Sequence, residues 1–167
     1  MEKESYSPCF KSDVVCDDLH FLRHSDGLIQ EFLFVFKVLK GDEEVIEKVN
    51  LKEKFGLFSE LWSPKIVGEV NDAHVKIGKL KGEFIWHRHE AEDEMFFIVK
   101  GKLTIRVRDP EERDISLTEG EFVTIPRGIE HMPVSENESW IMMIEPKGTL
   151  NTGDITDNRT VEEPEWI

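Results

Sequence analysis

The sequence predicts an all-β protein, built as a small sandwich or barrel, and two observations indicate this. From Lys65 onwards, short apolar runs alternate with turn-forming residues at close spacing, which is typical of sandwiches and barrels. No helical periodicity interrupts these runs, so the strands are expected to pair directly with one another. The chain has 167 residues, enough for one domain with a substantial core and an appendage.

The residues before Lys65 predict two further elements. The run Phe32-Leu-Phe-Val-Phe36 is aromatic and β-branched and predicts an extra N-terminal strand, apolar on both faces. Asn50-Leu-Lys-Glu53 has the form of a capping box and predicts a short helix through about Phe58. The predicted units are an N-terminal extension over residues 1–49, a barrel domain over residues 50–155 and a C-terminal tail over residues 156–167.

Turn residues divide the barrel domain into strands. Pairs such as Lys100-Gly101, Asp109-Pro110 and Glu136-Asn137 favour tight turns because glycine, proline and asparagine adopt the required backbone angles. The predicted strands are Ile66 to Val70, His74 to Leu80, Glu83 to His89, Met95 to Val99, Leu103 to Arg108, Ile115 to Leu117, Phe122 to Ile125, Met132 to Val134 and Trp140 to Ile144.

The composition indicates which kinds of partner and which cellular compartment to expect. Lysine and arginine number 21 against 35 acidic residues, and the net charge of −14 repels nucleic acid and anionic membrane surfaces. The most apolar window, residues 28–39, is too short to span a bilayer. Cys9 and Cys16 are the only cysteines and the N-terminus lacks a signal-peptide pattern. We therefore expect a cytoplasmic protein that binds a small molecule rather than nucleic acid or a membrane.

Three histidines and one carboxylate are the residues that carry chemistry. His87 and His89 lie two apart on a predicted strand, so both imidazoles face the same side. Glu94 begins the next predicted strand, and His131 follows the Pro126-Arg-Gly128 turn before a later one. Three imidazoles with one carboxylate suit a divalent first-row transition metal and leave positions for water or substrate.

Other ligand sets remain open on the residues alone. Glu92 and Asp93 are alternatives to Glu94 as the carboxylate, although they also read as a solvated acidic turn. A second cluster near the N-terminus has metal-binding residue types but lacks the closely spaced cysteine pair of a typical zinc site. Its members are Cys9, Cys16, His20 and His24.

These residues resemble the two motifs of the cupin family. The first motif is Gly82, His87-Arg-His89, Glu94 and Gly101, and the second is Gly120, Pro126-Arg-Gly128 and His131. The resemblance implies a double-stranded β-helix, the jelly-roll barrel of cupins, here with the short helix and extra strand at the N-terminus. It also implies that His87, His89, Glu94 and His131 bind one divalent transition metal, which can be Fe, Mn, Ni or Zn.

Alternation along the strands predicts two apolar faces. Ile85 shares a face with the two histidines, and Phe96 and Ile98 share one with Glu94, so these three are the predicted substrate pocket. The opposite face needs a cover, either the Phe32 to Phe36 strand or a second subunit, and the cupin resemblance implies a homodimer. The residues of that opposite face are Phe84, Trp86, Met95, Phe97 and Val99.

The expected function is metal-dependent chemistry on a small oxygen-rich metabolite. Dioxygenase activity and sugar or keto-acid isomerisation are both compatible with such a centre. The alternative is a non-catalytic binding or sensor protein in which the metal anchors a ligand or only stabilises the barrel. A buried acid or base beside the metal favours the enzyme, whereas a purely apolar pocket favours binding.

Overall fold

The computed structural model describes residues 46–167, and this part of the chain is almost entirely β, which confirms the predicted fold class. One sheet has the order β1-β2-β7-β3-β6, while β4 pairs with both β5 and β7. The elements are helix α1 (Leu51–Phe55) and strands β1 (Lys65–Val70), β2 (Ala73–Glu83), β3 (Glu94–Lys100), β4 (Lys102–Arg108), β5 (Glu112–Thr118), β6 (Phe122–Ile125) and β7 (Glu130–Pro146).

Strand β7 closes the barrel because it belongs to both halves. Its first residues, from Glu130 to Val134, pair with β4. Its last residues pair with β2 on one side and with β3 on the other. The inner faces of these strands therefore surround a single core. Among the described residues, no helix is long and apolar enough to cross a membrane.

The predicted turn at Glu136-Asn137 is wrong. In place of two strands the structure has one strand of 17 residues, and its register against β2 shifts between Leu80 and Gly82. The buried Ser135 hydroxyl lies 2.7 Å from the carbonyl oxygen of Asn137 and 2.8 Å from the hydroxyl of Ser139. These polar residues therefore make a bulge inside a continuous strand, which bends the strand without ending it.

The predicted strand from Glu83 to His89 is also wrong. Strand β2 ends at Glu83, and residues 84–93 form a loop whose only bridge pairs His87 with His131. The sequence suggested a strand because Phe84, Ile85 and Trp86 are aromatic or β-branched, which favours strands. The loop does not continue the strand pairing, so the alternation of faces predicted for residues 84–89 does not apply.

The capping box and its helix are confirmed, although the helix is shorter than predicted. The Asn50 side-chain oxygen accepts a hydrogen bond from the Lys52 backbone N–H at 3.1 Å, and the Asn50 amide donates to Glu53 at 2.7 Å. The helix ends at Phe55 instead of Phe58. Phe55 is fully buried and stacks on Trp140 at 4.7 Å, so α1 covers part of the outer face of the sheet.

Several predictions concern residues before position 46 and lie outside the described residues. They are the extra strand from Phe32 to Phe36 and the cluster of Cys9, Cys16, His20 and His24. The predicted unit boundaries also stay predictions. At the other end of the chain, Trp166 bridges to Ile66 on β1, and the Ile167 backbone N–H donates to the Ile66 carbonyl oxygen at 3.1 Å.

Candidate metal centre

The structure brings together the four side chains that the sequence singled out. One potential ligand atom from each of His87, His89, Glu94 and His131 lies within 4.8 Å of the others, and all four residues are buried. Glu94 is the first residue of β3 and His131 is the second residue of β7. The two alternative carboxylates, Glu92 and Asp93, make other contacts. The carboxylate of Glu92 accepts a hydrogen bond from the Ala91 N–H, and that of Asp93 accepts one from the Arg127 N–H.

Backbone hydrogen bonds fix the loop that carries His87 and His89. The backbone N–H of each of His87 and His131 donates to the carbonyl oxygen of the other, at 3.1 and 2.9 Å. The Gly128 N–H donates to the His89 carbonyl oxygen at 2.7 Å, and the Asp154 N–H donates to that of Arg88 at 3.0 Å. The two imidazoles converge because three separate segments hold this loop in place.

The contact from Gly153 and Asp154 is one that sequence reasoning missed. These residues lie about 60 positions after the histidines, in a polar, turn-rich stretch. Gly153 has a φ of 55°, and a Cβ on it would overlap the carbonyl group of Arg88. In the sequence, the glycine at position 153 indicated only a turn. Nothing in the sequence indicated that this turn contacts Arg88.

We expect Gly153→Ala to weaken metal binding by about 10–100-fold, as for other residues that orient ligands. The added methyl group displaces Arg88 and with it both flanking histidines. Gly148→Ala is the matched control, because Gly148 also has a positive φ but an added Cβ there meets nothing within 4 Å. Metal affinity is measured by titration with a chelating dye, and equal affinities in the two variants would contradict the expectation.

Two of the histidines have their tautomers set by backbone carbonyl groups. Nδ1 of His87 lies 3.0 Å from the Ile85 carbonyl oxygen, and Nδ1 of His131 lies 3.0 Å from that of Ile129. A carbonyl oxygen only accepts, so each Nδ1 carries the proton and each Nε2 of the neutral ring presents a lone pair. Metal-bound histidines are held in this way.

The distances between the donor atoms fit a bound cation. Glu94 Oε2 lies 3.0 Å from His131 Nε2 and 3.3 Å from His89 Nε2, yet the His89 nitrogen has no aligned hydrogen bond within the described residues. Two lone pairs facing each other repel unless a proton or a metal ion lies between them. Ligand atoms about 2.1 Å from one ion are about 3.0 Å apart at right angles, so the four residues fit a divalent metal.

The same arrangement shifts the pKa values of the cluster. Burial alone would raise the pKa of Glu94, but its contacts with His131 and His89 outweigh burial and hold that pKa below its usual range. Burial, with His131 nearby, lowers the pKa of His87 to about 4. Burial would also lower the pKa of His89, but Glu94 raises it above its ordinary value of 6.5. At neutral pH Glu94 is therefore ionised and His87 is a neutral donor.

We expect metal affinity to fall as the pH is lowered, because a proton on His89 removes the lone pair that the metal needs. The pKa of His89 is above 6.5, so the loss begins above pH 6.5 and continues below it at about tenfold per pH unit. Zinc affinity measured between pH 8 and pH 5.5, with the dye calibrated at each pH, checks this. A constant affinity over that range would contradict it.

An apolar cavity opens beside two of the donors. It measures about 390 Å³ including its mouth, and His87 and Glu94 are on its wall. Of the predicted pocket residues Phe96 lines it, whereas Ile85 and Ile98 do not. Phe84, predicted for the opposite face, lines the cavity because residues 84–89 form a loop. The other apolar residues on the wall include Trp62, Pro64, Leu80, Pro133, Ile141 and Met143.

A buried ion pair lies further along the same inner face. Lys76 Nζ is 2.7 Å from Glu145 Oε1 and donates to the Thr149 carbonyl oxygen at 3.0 Å. The second carboxylate oxygen of Glu145 has no hydrogen-bond partner among the described residues. Burial and the nearby Glu94 charge raise the pKa of Glu145 to about 7. Sequence reasoning missed this pair, because a charged residue in a strand is usually on the solvent side.

Comparison with known proteins agrees with the fold. Residues 73–145, which include all four donors, match the Cupin_2 family, a cupin domain. The protein YdbB of Bacillus subtilis (strain 168) is 34% identical over 82 residues, covering 49% of this chain and 65% of that protein. The match therefore spans less than two thirds of that relative's length.

Solved structures give the same result. A cupin-2 domain containing protein from Shewanella frigidimarina NCIMB 400 is 43% identical, with a TM-score of 0.57 over 59% of this chain and 94% of that one. Hydroquinone 1,2-dioxygenase from Sphingomonas sp. TTNP3 shares the fold at 18% identity, with a TM-score of 0.55 over 62% of this chain and 33% of that one. On the match of the domain, the motif residues and the close structural relative, the chain belongs to the cupin family.

Proposed function

We propose that this protein is a metal-dependent enzyme of the dioxygenase type that acts on a small molecule. The observation that carries the proposal is that a buried set of three histidines and one glutamate adjoins a cavity through His87 and Glu94. A divalent ion bound there would supply Lewis acidity and, if redox-active, electrons for chemistry with dioxygen. A small ligand in the cavity is within reach of that centre.

The protein's own residues orient the histidine ligands, exclude water from the site and include a buried acid. The carbonyl groups of Ile85 and Ile129 keep the Nε2 atoms of His87 and His131 directed at the centre. The apolar wall excludes water, which strengthens electrostatic interactions at the site. Glu145, whose pKa is raised to about 7 in the metal-free protein, is a buried acid on the same inner face, outside the cavity wall.

Apolar cavity walls favour dioxygenase chemistry over isomerisation of a sugar phosphate. Of the described residues, no lysine or arginine lines the cavity, so a phosphate group would lose its hydration without gaining a cationic partner. The hydroxyl groups of a sugar would likewise lack donors and acceptors. A substrate with one or two oxygens and an apolar body fits better.

The second candidate function is non-catalytic binding, in which the metal anchors a ligand and no bond is broken. The apolar lining of the cavity favours this alternative, since only Ser63 and Asn151 join His87 and Glu94 as polar residues on its wall. Such a protein would bind a ligand through the metal but would consume neither ligand nor oxygen.

Oxygen uptake separates the two functions. Protein loaded with Fe(II), Mn(II), Ni(II) or Zn(II) is supplied with a panel of small phenols, diketones and hydroxy acids, and dissolved oxygen is recorded. We expect uptake with a redox-active metal and none with Zn(II), and His131→Ala is the metal-free control. If a ligand binds to the loaded protein and no metal gives uptake or product, the binding function is correct and the enzyme is not.

We also propose a homodimer through the outer face of β3 and β6. Phe122 pairs in register with Phe97 there, and Phe122 is 65% exposed. A second copy would cover this face, since exposed aromatic clusters are uncommon on monomers. We expect Phe122→Asp to shift sedimentation from dimer to monomer, with Val70→Asp, at an exposed apolar residue of β1, as control. A wild-type protein that sediments as a monomer at all concentrations would disprove the dimer.

A further inference from the structure

Trp62, on the cavity wall, has a strained backbone. Its φ is 60°, in the left-handed region that bulky side chains rarely adopt. The Trp62 backbone N–H donates to the Lys79 carbonyl oxygen at 2.9 Å, and its indole N–H donates to that of Lys81 at 3.0 Å. Both ends of the residue are thus tied to β2. Strain of this kind persists where the surrounding structure enforces it, and it is concentrated at ligand sites.

Trp62 and Phe84 together form an aromatic wall that leads to a metal ligand. Their rings stack with centroids 4.8 Å apart and an angle of 22° between planes. The edge of Phe84 then meets the His87 ring at 5.4 Å and 84°. The Arg159 guanidinium lies 4.8 Å from the Phe84 ring and donates to the Glu83 carbonyl oxygen at 3.2 Å, which fixes Phe84 in place.

Of the two remaining polar residues on the cavity wall, Ser63 and Asn151, the second is already used by the protein. The Asn151 amide donates to the Arg159 carbonyl oxygen at 2.9 Å, and its oxygen accepts from the Val161 N–H at 2.8 Å. Asn151 therefore has little capacity left for a ligand. A ligand finds its polar partners at Ser63 and at the centre formed by His87 and Glu94, while its other atoms contact aromatic and aliphatic side chains.

We propose that the cavity binds a single planar ring compound, of the phenol or enol type, with its ring against the aromatic wall and one oxygen directed at the metal centre. The inference rests on the proposed function, because it requires a metal held by the four donors. Planar rings gain from aromatic contact in offset or edge-on arrangements, whereas saturated polar compounds do not. The part of the cavity that can hold the centre of a water-sized molecule is only about 40 Å³, which limits the ligand to about one ring.

Calorimetric titration of the Zn(II)-loaded protein with phenol tests the inference. Glycolate, a small polar ligand without a ring, is the comparison. Each variant is first checked for one bound zinc per chain and for its unfolding temperature. We expect phenol to bind at least about tenfold more tightly than glycolate. Phe84→Ala should weaken phenol binding by at least about tenfold, while Trp166→Ala, which removes an exposed ring outside the cavity, should leave phenol binding unaltered.

Trp62 gives a second readout that separates a ligand contact from a structural role. Trp62→Phe keeps a ring on the wall and should retain most of the phenol affinity. Trp62→Ala should lower the phenol affinity about tenfold and leave the zinc content unchanged. If phenol binds no better than glycolate to zinc-loaded protein, or if Phe84→Ala binds phenol normally, the inference is overturned and the metal centre stands. If the wild-type protein takes up no zinc, the proposed function itself fails.

Discussion

We expect replacement of His131 with alanine to reduce the bound metal from about one ion per chain to nearly none. His131 provides one of the three imidazoles, and its Nε2 lies 3.0 Å from Glu94 Oε2. Loss of the ring leaves three ligands and frees the Glu94 carboxylate that His131 positioned. Because removal of a residue that only supports a ligand already costs 10–100-fold in affinity, removal of the ligand itself should cost more.

Metal analysis of protein purified without chelators measures this directly. His74→Ala is the matched control, since His74 packs against Trp166 at 5.6 Å and is not part of the cluster. The double variant His87→Ala/His131→Ala extends the test to a second ligand. Circular dichroism confirms that the variants remain folded. Metal content in the double variant equal to that of the wild-type protein would show that the four residues are not the binding site.

The parts of this site that the sequence could predict are those with local signals. Glu94 follows a turn of acidic residues and His131 follows the Pro126-Arg-Gly128 turn, and the structure has both strand boundaries within a few residues. His87 and His89 converge for a different reason from the one predicted. They lie on a loop held by β7 and by Asp154 instead of on one face of a strand. The spacing was informative although the assumed secondary structure was wrong.

Contacts between distant segments could not be predicted, because the sequence shows each partner alone. Gly153 supports Arg88 from about 60 residues away, and Trp62 reaches the cavity from before the first strand. The bulge after Ser135 looked like a turn because polar residues favour both structures. For Gly153 and Trp62 the deciding partner was a backbone group of another strand or loop.

We expect Lys76→Met to destabilise the folded protein by about 3–5 kcal/mol at pH 8, the usual cost of removing one partner of a buried ion pair. Both Lys76 and Glu145 are almost completely buried, and their charged atoms are 2.7 Å apart. Methionine fills a similar volume but leaves the Glu145 carboxylate without a cation. Urea unfolding of the metal-free protein gives the free energies, and Lys147→Met, in an exposed ion pair with Glu69, is the control.

The pH dependence identifies the cause of this loss. The pKa of Glu145 is raised from 4.5 to about 7, so the folded protein keeps a proton that the unfolded chain releases. The stability that this proton contributes is present below about pH 4.5 and is lost as the pH rises through about 7. At pH 5 Glu145 is neutral, and Lys76→Met should then cost much less stability than at pH 8.

Adding Glu145→Leu to Lys76→Met should restore most of the stability at pH 8, because replacement of a buried ion pair by apolar residues is often neutral or stabilising. A loss that is the same at both pH values and unchanged in the double variant would mean that packing, and not the ion pair, is what Lys76 provides.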